Sequence, residues 1–107
     1  MDIITNDHIK CNQALVGLYE VYDPEIGLNV VDLGLIYGLN FSEERKEIET
    51  VMTLTTQFCP MGESITNEVK QSIGSAFPEY KVNITLTFDP GWSPDLLSPE
   101  GEAFLNR

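Results

Sequence analysis

The sequence predicts an α+β fold, a two-layer sandwich in which a small mixed sheet carries both helices on one face, in the order helix, strand, strand, helix, strand. Two stretches repeat their apolar residues at steps of three and four, the spacing of one helix face. Three other stretches alternate apolar and polar residues, the spacing of a half-buried strand. Proline, glycine and short charged runs mark each change of period.

The first helix is expected from Asp7 to Tyr22, with Cys11, Ala14, Leu15, Leu18, Val21 and Tyr22 on its inner face. Asn6 or Thr5 is the expected cap, and Asp7 suits the positive end of the helix dipole. Asp23-Pro24 ends the helix, because a residue before proline is pushed out of the helical region. Cys11 on that face reads as a small core residue. From Gly34 to Phe41 the period is two, with Leu35, Tyr37, Leu39 and Phe41 on one side and Ile36 and Gly38 on the other. A polar turn, Ser42 to Lys46, leads to a second strand whose Ile48, Thr50, Met52 and Leu54 share a face. The second helix is expected from Pro60 or Met61 to Ala76, on the stripe Met61, Ile65, Val69, Ile73 and Ala76, and Phe77-Pro78 closes it. In the last strand Val82, Ile84, Leu86 and Phe88 are expected to face the core. The stretch 92–107 reads as a tail packed on or near a single domain spanning 1–107, with a short helical turn at Glu100 to Leu105. Tyr37, Phe41 and Trp92 are candidates to complete the thinly covered outer face of the sheet, which makes a homodimer the expected assembly.

Charge narrows the function. Six basic residues face seventeen acidic ones, a formal charge of -11, and such a surface repels a phosphate backbone and favours cations or basic protein surfaces. No nucleic-acid partner is expected. No apolar run reaches the length needed to cross a bilayer and no basic leader precedes an apolar stretch, so no membrane partner is expected and the cytoplasm is the expected compartment. Two cysteines without a Cys-x-x-Cys pair are too few for a disulfide scaffold or a self-contained zinc site.

The chemistry concentrates in Thr55-Thr56-Gln57-Phe58-Cys59-Pro60-Met61-Gly62. Proline is favoured at the first helical position, so Pro60 places Cys59 at the cap of the second helix. Free N–H groups and the helix dipole there favour a thiolate, lowering the thiol pKa below its free value of about 8.5. A thiolate at that point can bind a soft metal or a cluster iron, or attack an electrophile; the plain alternative is a small residue in a tight turn. Gly62 allows close backbone approach in the first turn. The single histidine, His8, reads as a solvated residue at the start of the first helix, and nothing in the sequence brings it to Cys59 as a base. A second polar cluster, Asp23-Pro24-Glu25-Ile26-Gly27 followed by Asp32, fits cation or partner binding and ordinary turn chemistry equally well.

Four motifs in register resemble the metal–sulfur cluster assembly factor family, which includes the SufT and PaaD proteins: Asp23-Pro24-Glu25-Ile26-Gly27, Val31-Asp32-Leu33-Gly34-Leu35-Ile36-Tyr37, Met52-Thr53-Leu54-Thr55-Thr56 and Cys59-Pro60-Met61-Gly62. Trp92-Ser93-Pro94-Asp95 after the last strand adds a fifth. The resemblance implies the iron–sulfur cluster assembly domain fold and an accessory role in cluster assembly or transfer, without catalysis. It groups Asp23, Glu25, Thr55, Thr56 and Cys59 as one site, with Cys59 as a transient cluster or iron ligand and Asp23 and Glu25 as oxygen ligands. Asp32 and Gly62 would support that site, and Trp92 would meet a partner. The cysteine-rich C-terminal segment of the PaaD type is absent, so a SufT-like domain fits best.

One cysteine cannot complete a cluster that takes four ligands. No stably bound cofactor is therefore expected, only transient iron or an iron–sulfur cluster shared with a second protomer, the assembly machinery or a client apo-protein. Two other classes compete: an adaptor that docks partners through its acidic face with a structural cysteine, and a thiol-dependent enzyme.

Overall fold

The computed structural model describes residues 3–24, 26–55, 62–89 and 91–105. A four-stranded mixed sheet runs in the order β1 (Ile4–Thr5), β4 (Ile36–Ser42), β5 (Glu47–Met52), β6 (Lys81–Leu86), beside a small hairpin of β2 (Tyr22–Asp23) and β3 (Leu28–Asn29). The helices are α1 (His8–Leu18), α2 (Gly62–Ala76) and α3 (Pro99–Leu105), with a 3-10 turn at Pro94–Leu96. β4 and β5 pair antiparallel across the turn after Ser42. β5 and β6 pair parallel, which requires a crossover, and α2 supplies it.

The inner face of the sheet follows from its register. Ile36, Leu39 and Phe41 of β4 stand opposite Met52, Thr50 and Ile48 of β5, and all six are buried. A bulge makes this possible. The register shifts between Ile36 and Gly38, so Tyr37 is the extra residue and Ile36 returns to the core side, where strict alternation had placed Tyr37. Cys11, Ala14 and Leu18 of α1 and Ile65, Val69 and Ile73 of α2 join the same core. The two helices pack closely: a Cβ on Gly17 would lie 2.6 Å from Ser72 Oγ.

Several expectations need correction. α1 stops at Leu18, short of Tyr22, because Val21 leaves the helix and its carbonyl accepts from Val30 N–H to extend the β2–β3 hairpin. Tyr22 is consequently exposed. The cap is Asp7, whose Oδ1 accepts from Lys10 N–H at 3.0 Å, while Asn6 turns to bridge the backbone of Phe41 in both directions. Leu86 and Phe88 are exposed: α2 packs on the first half of β6, where Gly74 meets Val82, and the strand runs on as a sheet edge. Ala76 at the end of α2 is also exposed. Phe41 cannot complete an outer dimer face, since it lies in the core with its ring edge-on to Phe77 at 5.4 Å.

Thr50 is fully buried, and among the described residues no group hydrogen-bonds its Oγ1. An unpartnered buried hydroxyl costs roughly 1–3 kcal/mol. Thr50→Val should therefore raise stability by about 1 kcal/mol, read as a higher denaturant midpoint at unchanged slope; a lower midpoint contradicts the assignment.

Candidate functional site

One end of the sheet gathers the loops that carry the polar motifs. Backbone hydrogen bonds run in series across it: Val30 N–H to Val21 O at 2.9 Å, Leu35 N–H to Val30 O at 3.0 Å and Thr53 N–H to Leu35 O at 2.9 Å. The hairpin β2–β3, the turn that follows it and the end of β5 are thus joined edge to edge. Thr87 N–H, bonded to Met52 O at 2.9 Å, adds the end of β6.

Asp23 closes β2 and is 1% exposed; its carbonyl accepts from Ile26 N–H and Gly27 N–H in a tight turn. Thr55, half-buried, stands beyond β5, and Gly62 opens α2. The hydrogen-bonded series ties together the hairpin that carries Asp23 and the end of β5 that leads to Thr55, while Gly62 opens α2 beyond a stretch outside the described residues. Glu25, Thr56 and Cys59 lie outside the described residues, as does the capping position expected of Cys59. Among the described residues no three His, Cys, Asp or Glu side chains converge as metal ligands.

Asp32 has a clear structural task. Its Oδ2 accepts from Asn29 Nδ2 at 2.6 Å and its Oδ1 from the Ser98 hydroxyl at 2.8 Å, while Ser98 N–H donates to its carbonyl at 2.9 Å. Ser98 Oγ in turn accepts from Gly101 N–H at 2.9 Å, so the hydroxyl that holds Asp32 also caps α3. Trp92, expected to meet a partner, donates its indole N–H to Leu33 O at 2.5 Å inside the chain. The tail is thus a strap across the 29–34 turn. Sequence reasoning missed Asn29 and Ser98; the Asn-x-x-Asp spacing and the serine before Pro99 were the available signals. Asp32→Ala should cost about 2 kcal/mol, since a hydrogen bond to a charged group contributes ~1.5–3 kcal/mol when shielded and less when half-exposed. Chemical denaturation checks it; an unchanged midpoint contradicts the strap.

Two ionisable groups of the chain are shifted by burial. Desolvation pushes the Tyr37 phenol up from its ordinary value of 10.0, partly countered by a hydrogen bond with the Thr53 side chain. Desolvation also pushes the Cys11 thiol up from 9.0, against a hydrogen bond with Thr5 and with a smaller push from the charge of Asp7. Cys11 is therefore a protonated core thiol, unsuited to ligation. The native state holds this proton more tightly than the unfolded chain. The contribution is complete below the unfolded value near 9.0 and is lost as pH climbs through the higher folded value. Above pH 9.0 stability should fall more steeply for the native sequence than for Cys11→Ala, by denaturation at each pH; parallel slopes contradict the shift.

Comparison with known proteins adds the remaining observation. The sequence profile described as "Iron-sulfur cluster assembly protein" matches residues 13–86. A Porphyromonas gingivalis protein named Fe-S protein maturation auxiliary factor is 36% identical over 98 residues, covering 91% of this chain and 92% of the relative. The Staphylococcus aureus Fe-S protein maturation auxiliary factor SufT is 39% identical over 80 residues, covering 73% of this chain and 88% of the relative. Among solved structures, a domain of unknown function from Bacillus anthracis superposes with a TM-score of 0.85 at 29% identity, over 92% of this chain and 93% of that one. A conserved hypothetical protein of Thermotoga maritima superposes with a TM-score of 0.75 at 31% identity over the full length of both chains.

Proposed function

Since the chain belongs to the iron–sulfur cluster assembly protein family, matched over residues 13–86, we propose that it is a SufT-like accessory factor in the maturation of iron–sulfur proteins. The observation that carries this reading is the pair of relatives named as maturation auxiliary factors at 36% and 39% identity. Both contribute names of auxiliary proteins, which supports a carrier or helper in place of a catalyst.

In this reading iron or a cluster is cargo. Cys59 is the labile thiolate ligand, Asp23 and Glu25 offer hard oxygen ligands, and Thr55 and Thr56 donate hydrogen bonds to sulfur or orient the junction. Asp32 supports the site by holding the 29–34 turn through Ser98, Gly62 opens α2, and Trp92, bonded to Leu33 on the same turn, offers the rest of its ring to a partner. The remaining ligands come from a partner: the assembly machinery, a client apo-protein or a second protomer. The formal charge of -11 supports docking to basic surfaces, where complementary charge speeds encounter. No described helix is long and apolar enough to cross a membrane, which accords with action in the cytoplasm.

The test is complementation. In cells lacking the protein, the native sequence should restore the activity of iron–sulfur enzymes and Cys59→Ser should not, at equal protein levels. Full rescue by Cys59→Ser would sink the ligand role and leave the adaptor reading.

A further inference from the structure

A cleft of about 440 Å³ opens between α1 and the tail strap, built from elements other than the β5–α2 junction. Its apolar lining comes from Leu15 on α1, Ile3 ahead of β1, Ile36 on β4, and Val31 and Leu96 on the strap side. Thr5, His8, Asn12, Asp32, Ser98 and Glu100 supply polar atoms around it. A space of this size falls in the range that takes a small apolar group with a few polar contacts.

We propose that this cleft seats an apolar side chain of a partner protein, presented by a short segment with basic residues on either side of that anchor.

Two features favour such an occupant. The first is the outer lip. Ile9 and Val16 are 74% and 72% exposed, and Tyr19, which lines the cleft, is 45% exposed. Ile9 and Val16 stand three and four residues from the lining residue Asn12, and Val16 stands three from Tyr19, so helix geometry sets them side by side along the opening. α1 already buries Cys11, Ala14 and Leu18 in the core, so folding does not account for a second apolar stripe.

The second feature is charge. Residues 11–44 and 82–106 contain no lysine or arginine, yet they supply Asp32 and Glu100 to the cleft and Glu20, Asp95 and Glu102 nearby in sequence. The cations lie elsewhere: Lys10 and Lys46 pair with Glu43 beside Tyr80, Arg45 sits in the same hairpin turn, and Lys81 opens β6 there. Lys70 lies on α2, and Arg107 falls outside the described residues. The opening is therefore apolar within an acidic surround, a match for an apolar anchor between basic residues. A second copy of a chain with charge -11 is a poor electrostatic match.

The experiment uses the isotope-labelled full chain without iron or sulfide, so its outcome is independent of the cluster-maturation reading. Two synthetic peptides share one leucine–phenylalanine centre, flanked by lysines in one and glutamates in the other. The lysine peptide should shift amide signals of α1 and of residues 91–101, and the glutamate peptide should not. Val16→Ser should weaken binding, and Asn12→Lys with Glu100→Lys should weaken it about tenfold, equivalent to ~1.4 kcal/mol, with Trp92 emission unchanged as a control of fold. The proposal is overturned if both peptides shift the cleft equally, if the shifts map elsewhere, or if millimolar lysine peptide shifts nothing. A concentration-dependent dimer that buries the same residues without peptide also overturns it, in favour of a second copy.

Discussion

Gly34→Ala should lower stability by about 2–5 kcal/mol, the largest single-residue effect expected outside the core. Gly34 has φ +78, where a side chain costs about 1–2 kcal/mol. A Cβ there would also overlap the backbone carbonyl of Leu96, which cannot rotate aside as a side-chain tip would. Overpacking of this kind typically costs another ~1–3 kcal/mol. Lifting Leu96 loosens the strap at the point where Trp92 bonds Leu33 and Ser98 bonds Asp32. The chain has one tryptophan, and it is the one on the strap. Two readouts follow: a lower denaturant midpoint, and a red-shifted Trp92 emission before any denaturant is added. A native-like emission with a midpoint loss below about 0.5 kcal/mol contradicts the close approach.

Cys59→Ser should leave the fold intact and remove most of the capacity for iron and sulfide. Serine is close to cysteine in size, so stability and Trp92 emission should stay close to those of the native sequence. Its hydroxyl is not ionised near neutral pH and is a poor match for the soft iron–sulfur unit that a thiolate holds. Affinity for iron should fall at least about tenfold, corresponding to ~1.4 kcal/mol or more of binding, and the content at limiting iron should fall with it. The loss cannot be made good by Cys11, whose thiol is 3% exposed and held protonated by burial. Cys11→Ala should accordingly retain capacity, and it serves as the control for a general effect of removing a cysteine.

The helices and main strands were legible because their periods are long and clean. Ile65, Val69 and Ile73 mark one helix face over several turns, and Ile48, Thr50 and Met52 mark one strand face; all six are buried. β1, β2 and β3 span two residues each, too short to carry a period, so the sequence offered no pattern for them. The bulge at Tyr37 had a signal in Gly38, a glycine inside a strand, which two-residue alternation overrode. Leu86 and Phe88 alternate as core residues should, but their exposure depends on how far α2 extends along β6, a tertiary matter. At the candidate site, Glu25, Thr56 and Cys59 lie outside the described residues, and the hydrogen-bond series joins only the elements beside Asp23 and Thr55. The tail was expected to pack on the domain; what escaped was where it is fastened. Trp92 reaches Leu33 across 59 residues and Ser98 reaches Asp32 across 66, and contacts to a carbonyl or through a hydroxyl leave no spacing to read.

Anaerobic reconstitution with iron and sulfide tests the central claim most directly, comparing the native sequence, Cys59→Ser and Cys11→Ala by absorbance and by iron and sulfide content. With a small thiol such as glutathione present to stand in for the partner's ligands, a cluster chromophore in the native chain and in Cys11→Ala, reduced at least about tenfold in Cys59→Ser, is the predicted result. Equal iron and sulfide content in all three, or a chromophore lost with Cys11 instead of Cys59, would contradict it.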